Sequence, residues 1–172
     1  MPRSGEELRD VDRVRSLLGA DAFDRARPLH VTGSAVIVHL PSRRVLLRWH
    51  ERRQAWLQVG GHGDPGESDP FEIARREAAE ETGLEDLVAW PTAEILHVVI
   101  VPVPAGKGEP AHEHADVRYV FATSLPELAR PESDDAPMQW LSVEDALAVT
   151  EEENLRESLR RVAALLAVSD RR

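Results

Sequence analysis

The sequence predicts an α/β fold of the α+β type, a mixed β-sheet packed between helices. Three observations predict it. β-rich stretches recur along the chain at 30–40, 45–50, 56–59, 95–101 and 114–123, separated by Gly, Pro and Ser. A helix stands between them with both ends marked. Asp69 suits the N-cap, Pro70 the first helical position, Glu72 completes a capping-box pattern, and Gly83 supplies the left-handed stop. The chain closes on an amphipathic helix, about 151–168, with Leu155, Leu159, Val162 and Leu166 on one stripe.

Taken in order, the chain opens with a helix at about 6–18, where Leu8, Val11, Val14 and Leu18 fall near helical spacing. The strand at 30–40 turns at Pro41-Ser42-Arg43-Arg44 and returns as a hairpin partner at 45–50. Residues 56–59 form a short strand that delivers the chain into a Gly-rich turn, Gly60 to Gly66. After the capped helix, 95–101 is an apolar run fit for a buried strand, and Pro104 to Glu109 is a loop. Residues 138–141 make a last short strand, and Ser142 with Asp145 flags a short helix to Val149. The whole of 1–172 is expected to form one domain.

With 42% apolar and 30% charged residues the composition is that of an ordinary globular protein. No long apolar run or signal-peptide pattern is present, so a membrane role is not expected, and cytoplasmic is the default compartment. The absence of cysteine excludes disulfides, thiolate metal sites and thiol catalysis. A net charge of −10 argues against a nucleic-acid partner. An anionic substrate would have to be drawn in by bound cations and local arginines.

Chemistry concentrates at 60–84. Glu77, Glu80 and Glu81 share an arc of roughly 100° on the capped helix, while Phe71, Ala74 and Ala78 point elsewhere and can pack. Carboxylates crowded on one face repel one another. An acidic solvent face is the plain alternative. Directly after a Gly-rich turn able to bring backbone carbonyls close, hard oxygen ligands gathered at one spot point instead to Mg²⁺ or Mn²⁺.

These residues resemble the Nudix box. Arg76-Glu77-Ala78-Ala79-Glu80-Glu81-Thr82-Gly83-Leu84 matches its REUxEExGU half, where U is aliphatic, and Gly61 and Glu67 match its leading glycine and first glutamate. The chain departs from the pattern in one respect: eight residues, not seven, separate Glu67 from Arg76. The resemblance implies an α/β/α sandwich with a mixed, curved sheet between helices. It implies Glu77, Glu80, Glu81 and a carbonyl at Gly60 or Gly61 as ligands for Mg²⁺, with Glu67 and Arg76 supporting the loop and helix. It further implies hydrolysis of a pyrophosphate bond in a nucleoside diphosphate linked to another group, with Glu77 and Glu80 as candidates for the base. Triphosphates, ADP-ribose and dinucleoside polyphosphates all stay open as substrates. Family members are often dimers, so a homodimer is one expected assembly.

A second informative stretch is His112-Glu113-His114-Ala115-Asp116-Val117-Arg118. Strand alternation puts His112, His114, Asp116 and Arg118 on one face. As a substrate face, Arg118 would meet phosphate and the histidines phosphate or base. As a polar edge, Asp116 and Arg118 would simply pair. A His/His/Asp transition-metal site is disfavoured, because alternate residues of one strand are spread too far apart to close a tight shell. Arg48, His50 and His62 are further candidates for contact with substrate, and Glu132 is a candidate acidic residue from the loop before Trp140. Trp56 and Trp140 read as core.

Two other function classes compete. A Nudix-fold binding module without hydrolysis is favoured only by the extra residue before Arg76. The Trp56…Gly60-Gly61-His62 segment resembles the isopentenyl diphosphate isomerases, but those depend on a cysteine that this chain does not have.

Overall fold

The computed structural model describes residues 4–17, 19, 21–106, 108 and 110–169. Leu18 of the first expected helix, and Lys107 and Glu109 of the expected 104–109 loop, lie outside them. Eight strands and four α-helices follow in the order α1 (Gly5–Leu17), β1 (Leu29–His39), β2 (Arg44–His50), β3 (Ala55–Leu57), β4 (Val59–His62), α2 (Pro70–Thr82), β5 (Val88–Ala89), β6 (His97–Val103), β7 (His112–Ala122), β8 (Met138–Ser142), α3 (Val143–Val149) and α4 (Glu153–Ser169).

The strands form one mixed sheet of order β3-β2-β1-β7-β5, with β4 paired to β1, β6 to β7 and β8 to β2. β1 and β7 run parallel, and the other pairings are antiparallel. β1 is buried along nearly its whole length because both of its faces are covered. Ala35 and Ile37 join a cluster with Ala74 and Ala78 of α2, against which Val11, Val14 and Leu17 of α1 pack. Val36 and Val38 point the other way, to Ala146 of α3 and to Leu155, Leu159, Val162 and Leu166 of α4. The sheet therefore lies between two helical layers, as the sequence predicts.

Around the edge of β6 the layers are tied by a buried ion pair. The Arg161 guanidinium on α4 donates to both carboxylate oxygens of Glu7 on α1, each at 2.8 Å, and also to the Leu96 carbonyl at 2.9 Å. Both side chains are almost wholly shielded from water.

α2 starts and stops where its signals say. Asp69 accepts from the Phe71 N–H, Pro70 opens the helix, and Gly83 takes the left-handed conformation at φ 68°. The capping box is only half formed: Glu72 turns to Arg75, at 2.9 and 3.1 Å, because that ion pair lies along the helix surface. The expected turn at Gly60 to Gly66 also starts later. Gly60, Gly61 and His62 belong to β4, where they pair with Ser34, Gly33 and Thr32 of β1. A short segment in glycine has no strand pattern of its own, so its neighbour in the sheet sets its conformation. β5, Val88–Ala89, is too short to carry a strand pattern.

Candidate active site

The box folds around Arg76. Its Nε and one terminal nitrogen donate to Glu67 at 2.9–3.2 Å, and that nitrogen also reaches the His62 carbonyl at 2.8 Å. The other terminal nitrogen meets Glu77 at 3.1 Å and Glu80 at 2.9 Å. One guanidinium thus gathers the loop, the end of β4 and two carboxylates of α2. Hydrogen bonding to Glu67 raises the pKa of Arg76, and the same contact lowers that of Glu67. The extra residue between Glu67 and Arg76 is absorbed without breaking their contact.

Two box carboxylates are tucked beneath β4. Glu81 accepts from the Gly60 N–H at 2.9 Å and pairs with Arg48 at 3.1 Å. Glu77 packs against Gly61 so closely that a Cβ there would lie 2.7 Å from its Oε2. Only glycine leaves room for that carboxylate. Burial pushes the Glu81 carboxyl up to about 7, Arg48 opposing in part, and pushes Glu77 up as well. Glu80 is more exposed, with 59% of its side chain open to water. Arg48 also pairs with Glu132, at 3.2 Å, so β2 and the loop before β8 meet at the box.

Next to the box lies a cavity of about 580 Å³, lined by residues of β1, β3–β4, β6 and β7, including Thr32, Ser34, Gln58, Gly61, His62 and Asp116. His50, Arg52, Arg53 and Glu152 also line it. Arg53 is joined to Glu152 at 2.6 Å, and His50 accepts from the Arg53 N–H at 3.3 Å. Burial lowers the pKa of His50, followed by the charge of Arg48. The Gln58 Oε1 and Arg48 Nε are buried without a hydrogen-bond partner among the described residues.

Asp116 and Arg118 face the cavity but are engaged with the fold. Asp116, 4% exposed, accepts from the Thr32 hydroxyl at 3.0 Å, Ser34 at 2.7 Å and Arg118 Nε at 2.7 Å. Arg118, 1% exposed, also donates to the Asn154 carbonyl, the Asn154 side chain and the Ser158 hydroxyl at 2.8–3.1 Å. The parallel register puts Thr32 beside Asp116 and Ser34 beside Arg118, contacts that pattern reading along one strand does not reveal.

The histidines of β7 do not stand alone either. His30 of β1 is in register with His114 of β7, and His62 of β4 is in register with Thr32, so three strands bring four imidazoles together. The Nε2 atoms of His62 and His30 are 3.0 Å apart, those of His62 and His114 3.2 Å, and those of His112 and His114 3.1 Å. Burial holds His62 down to about 3 and His114 to about 4, with neighbouring imidazoles adding to both, and lowers His30. The spread expected for alternate strand residues is overcome by side-chain reach and by partners from other strands. His30 was not singled out in the sequence, where it reads as the first residue of a buried strand. Four of the seven histidines converging here is the only hint the chain carries, and it needs the register to be read.

A NUDIX domain family model matches residues 29–165. No curated protein sequence is a significant match. Among solved structures, an Ap4A hydrolase from C. elegans superposes with a TM-score of 0.63 at 22% identity, over 80% of this chain and 98% of that one. The E. coli dihydroneopterin triphosphate pyrophosphohydrolase gives 0.59 at 19% identity, over 78% and 94%. A NUDIX-family hydrolase from Clostridium perfringens gives 0.60 at 26% identity, over 79% and 97%. A family match across most of the chain, with box residues folded around Arg76 beside a cavity, makes this chain a member of the Nudix family, a hydrolase acting on pyrophosphate bonds.

Proposed function

We propose that the chain is an Mg²⁺-dependent pyrophosphohydrolase that cleaves a nucleoside diphosphate linked to another group. The observation that carries this reading is the seating of Glu77 against the backbone of Gly61, with Glu81 on the Gly60 N–H, the two glycines that separate these carboxylates from the cavity they line. Burial raises both carboxyls, which marks a site short of positive charge. Carboxylates with a neighbouring carbonyl are hard oxygen donors, and that donor set fits Mg²⁺, with Mn²⁺ as the alternative.

Glu77, Glu80, Glu81 and the Gly61 carbonyl would hold the ion, exchanging contacts with Arg48 and Arg76 for contacts with the metal. A bound Mg²⁺ supplies charge neutralisation on the diphosphate and acidifies water. Glu77 or Glu80 takes the proton from the attacking water, while Arg76 stays bound to Glu67 and the His62 carbonyl and so fixes the loop against the helix. His50, Arg48 and the arginines of the cavity wall orient an anionic substrate in a chain of net charge −10. Asp116 and Arg118 shape the wall from behind, and Glu132 acts through Arg48. The binding-module reading rested on the extra residue before Arg76, and the intact Glu67–Arg76 contact weighs against it.

The same reading carries a cytoplasmic enzyme of one Nudix unit working on a small nucleotide-type substrate, with a homodimer as one assembly open to it. Among the described residues no helix is long and apolar enough to cross a membrane.

The test is an Mg²⁺-dependent hydrolysis screen over nucleoside triphosphates, ADP-ribose, nucleotide sugars and dinucleoside polyphosphates, with product masses read and a Glu80→Gln variant run in parallel. One favoured substrate, cleaved by the parent and not by the variant, supports the proposal. Silence across the panel with Mg²⁺ binding intact sinks it.

A further inference from the structure

We infer that His30, His62, His112 and His114 form a second metal site, built for a divalent transition metal of the zinc class and separate from the box carboxylates. The inference rests on hydrogen-bond bookkeeping as well as on proximity. His30 Nδ1 lies 2.9 Å from the Arg27 carbonyl and His112 Nδ1 lies 3.0 Å from the Pro110 carbonyl. A carbonyl only accepts, so each Nδ1 carries the proton and each Nε2 of the neutral ring is a bare lone pair. These two lone pairs point to His62 Nε2 and His114 Nε2. To satisfy them, His62 and His114 must both carry a proton on Nε2. Yet those two nitrogens are 3.2 Å apart and would then set one N–H against another. Moving either proton only transfers the mismatch, leaving two lone pairs in contact. No set of neutral tautomers satisfies all three contacts.

A single cation does. Each imidazole then presents one lone pair along its ring plane to a common centre. Tetrahedral zinc with Zn–N of about 2.0–2.1 Å has ligand nitrogens about 3.3–3.4 Å apart. The three observed separations, 3.0–3.2 Å, come within a few tenths of that edge. The donor nitrogens of His30, His112 and His114 all lie within 4.8 Å of one another. The carbonyl contacts of His30 and His112 are the outer hydrogen bonds that fix the tautomer and ring orientation of a metal-bound histidine. Imidazole selects zinc, copper, iron or nickel over Mg²⁺, whereas the box offers only oxygen, so the two sites are divided by donor chemistry. His62, 3.0 Å from His30 and 3.2 Å from His114, adds a fourth ligand to these three, and four protein ligands leave no open position, the pattern of a structural site. The ion would clamp the starts of β1 and β7 to the end of β4, one residue from Gly61.

The experiment uses the full chain without a polyhistidine tag, stripped with chelator and titrated with Co²⁺ and Zn²⁺ in the presence of Mg²⁺. Expected is one equivalent of Co²⁺ with the intense visible bands of tetrahedral coordination, displaced by Zn²⁺. His112→Ala, at the half-buried rim, should weaken Co²⁺ binding at least tenfold, while Glu81→Gln retains it. In parallel, ¹⁵N spectra of the parent should show all four Nε2 resonances moving on Zn²⁺ addition, a readout that needs no variant to fold. Weak octahedral bands, Co²⁺ binding lost in Glu81→Gln but kept in His112→Ala, or unmoved Nε2 resonances would overturn the inference. The readouts are metal stoichiometry and spectra, so failure of the proposed hydrolysis leaves this test intact.

Discussion

Arg76 holds both carboxylate oxygens of Glu67 with Nε, at 3.1 and 3.2 Å, across an interval one residue longer than the Nudix pattern specifies. The extra residue lies between Glu67 and Arg76, ahead of the glutamates and not among them, where it would rotate those that follow by about 100°. The phase of Glu77, Glu80 and Glu81 is preserved for that reason. Replacing Arg76 by lysine keeps the charge but loses the planar fork. Expected is a loss of about 2 kcal/mol in chemical denaturation, together with a fall in kcat. Equal stability of Arg76→Lys and parent would show that the fork is not needed.

Gly61→Ala probes the tightest contact in the site. The new methyl would lie 2.7 Å from the Glu77 carboxylate, well inside van der Waals range. Since the carboxylate is the end of a side chain, it moves and the backbone does not. The expected outcome is unchanged melting but roughly a 100-fold loss of Mg²⁺-dependent turnover, the effect of displacing a reacting group by about 1 Å. Retention of activity within a factor of three would remove Glu77 from the ligand set.

Glu7→Ala would leave the buried Arg161 guanidinium with only Glu157, at 2.8 Å, and the Leu96 carbonyl as partners. Breaking such a buried pair costs about 3 kcal/mol, and replacing both partners together by apolar residues is close to neutral. Urea denaturation of Glu7→Ala beside Glu7→Leu/Arg161→Met distinguishes the cases. If the single variant is as stable as the double, the pair contributes no more than its packing.

His97 gives a pH signature apart from the active site. Burial, then the Arg118 and Arg161 charges, hold its pKa at about 4 against an ordinary 6.5, and its Nδ1 meets the Ser158 hydroxyl at 2.9 Å. Between these values the unfolded chain takes up a proton that the folded chain refuses. Stability is therefore full above pH 6.5, falls as pH drops toward 4, and levels off below, a total of about 3 kcal/mol from this group. A His97→Gln variant should lack that part of the slope when unfolding free energies at pH 7 and pH 4.5 are compared. Identical slopes in the two proteins would mean that the imidazole is not shielded in solution.

What the chain determined by itself was local. Asp69, Pro70 and Gly83 bound α2 through their own backbone preferences, and helical geometry alone places Glu77, Glu80 and Glu81 on one arc. The continuous apolar run Ala35–Val38 of β1 and the stripe of α4 already imply a sheet covered on both faces. Tertiary structure decided what depends on neighbours distant in sequence. Gly60 to His62 became a strand because β1 pairs with it, and of the two readings open for Arg118, phosphate contact or a pair with Asp116, the pair is formed, joined by Asn154 and Ser158. The histidine cluster is the sharpest case. His30 lies 84 positions from His114, and only the parallel register of β1 on β7 sets them side by side. Periodicity reports which face a residue takes, but a strand's partner is chosen by burial summed over the whole sheet, and no single stretch of sequence contains that sum.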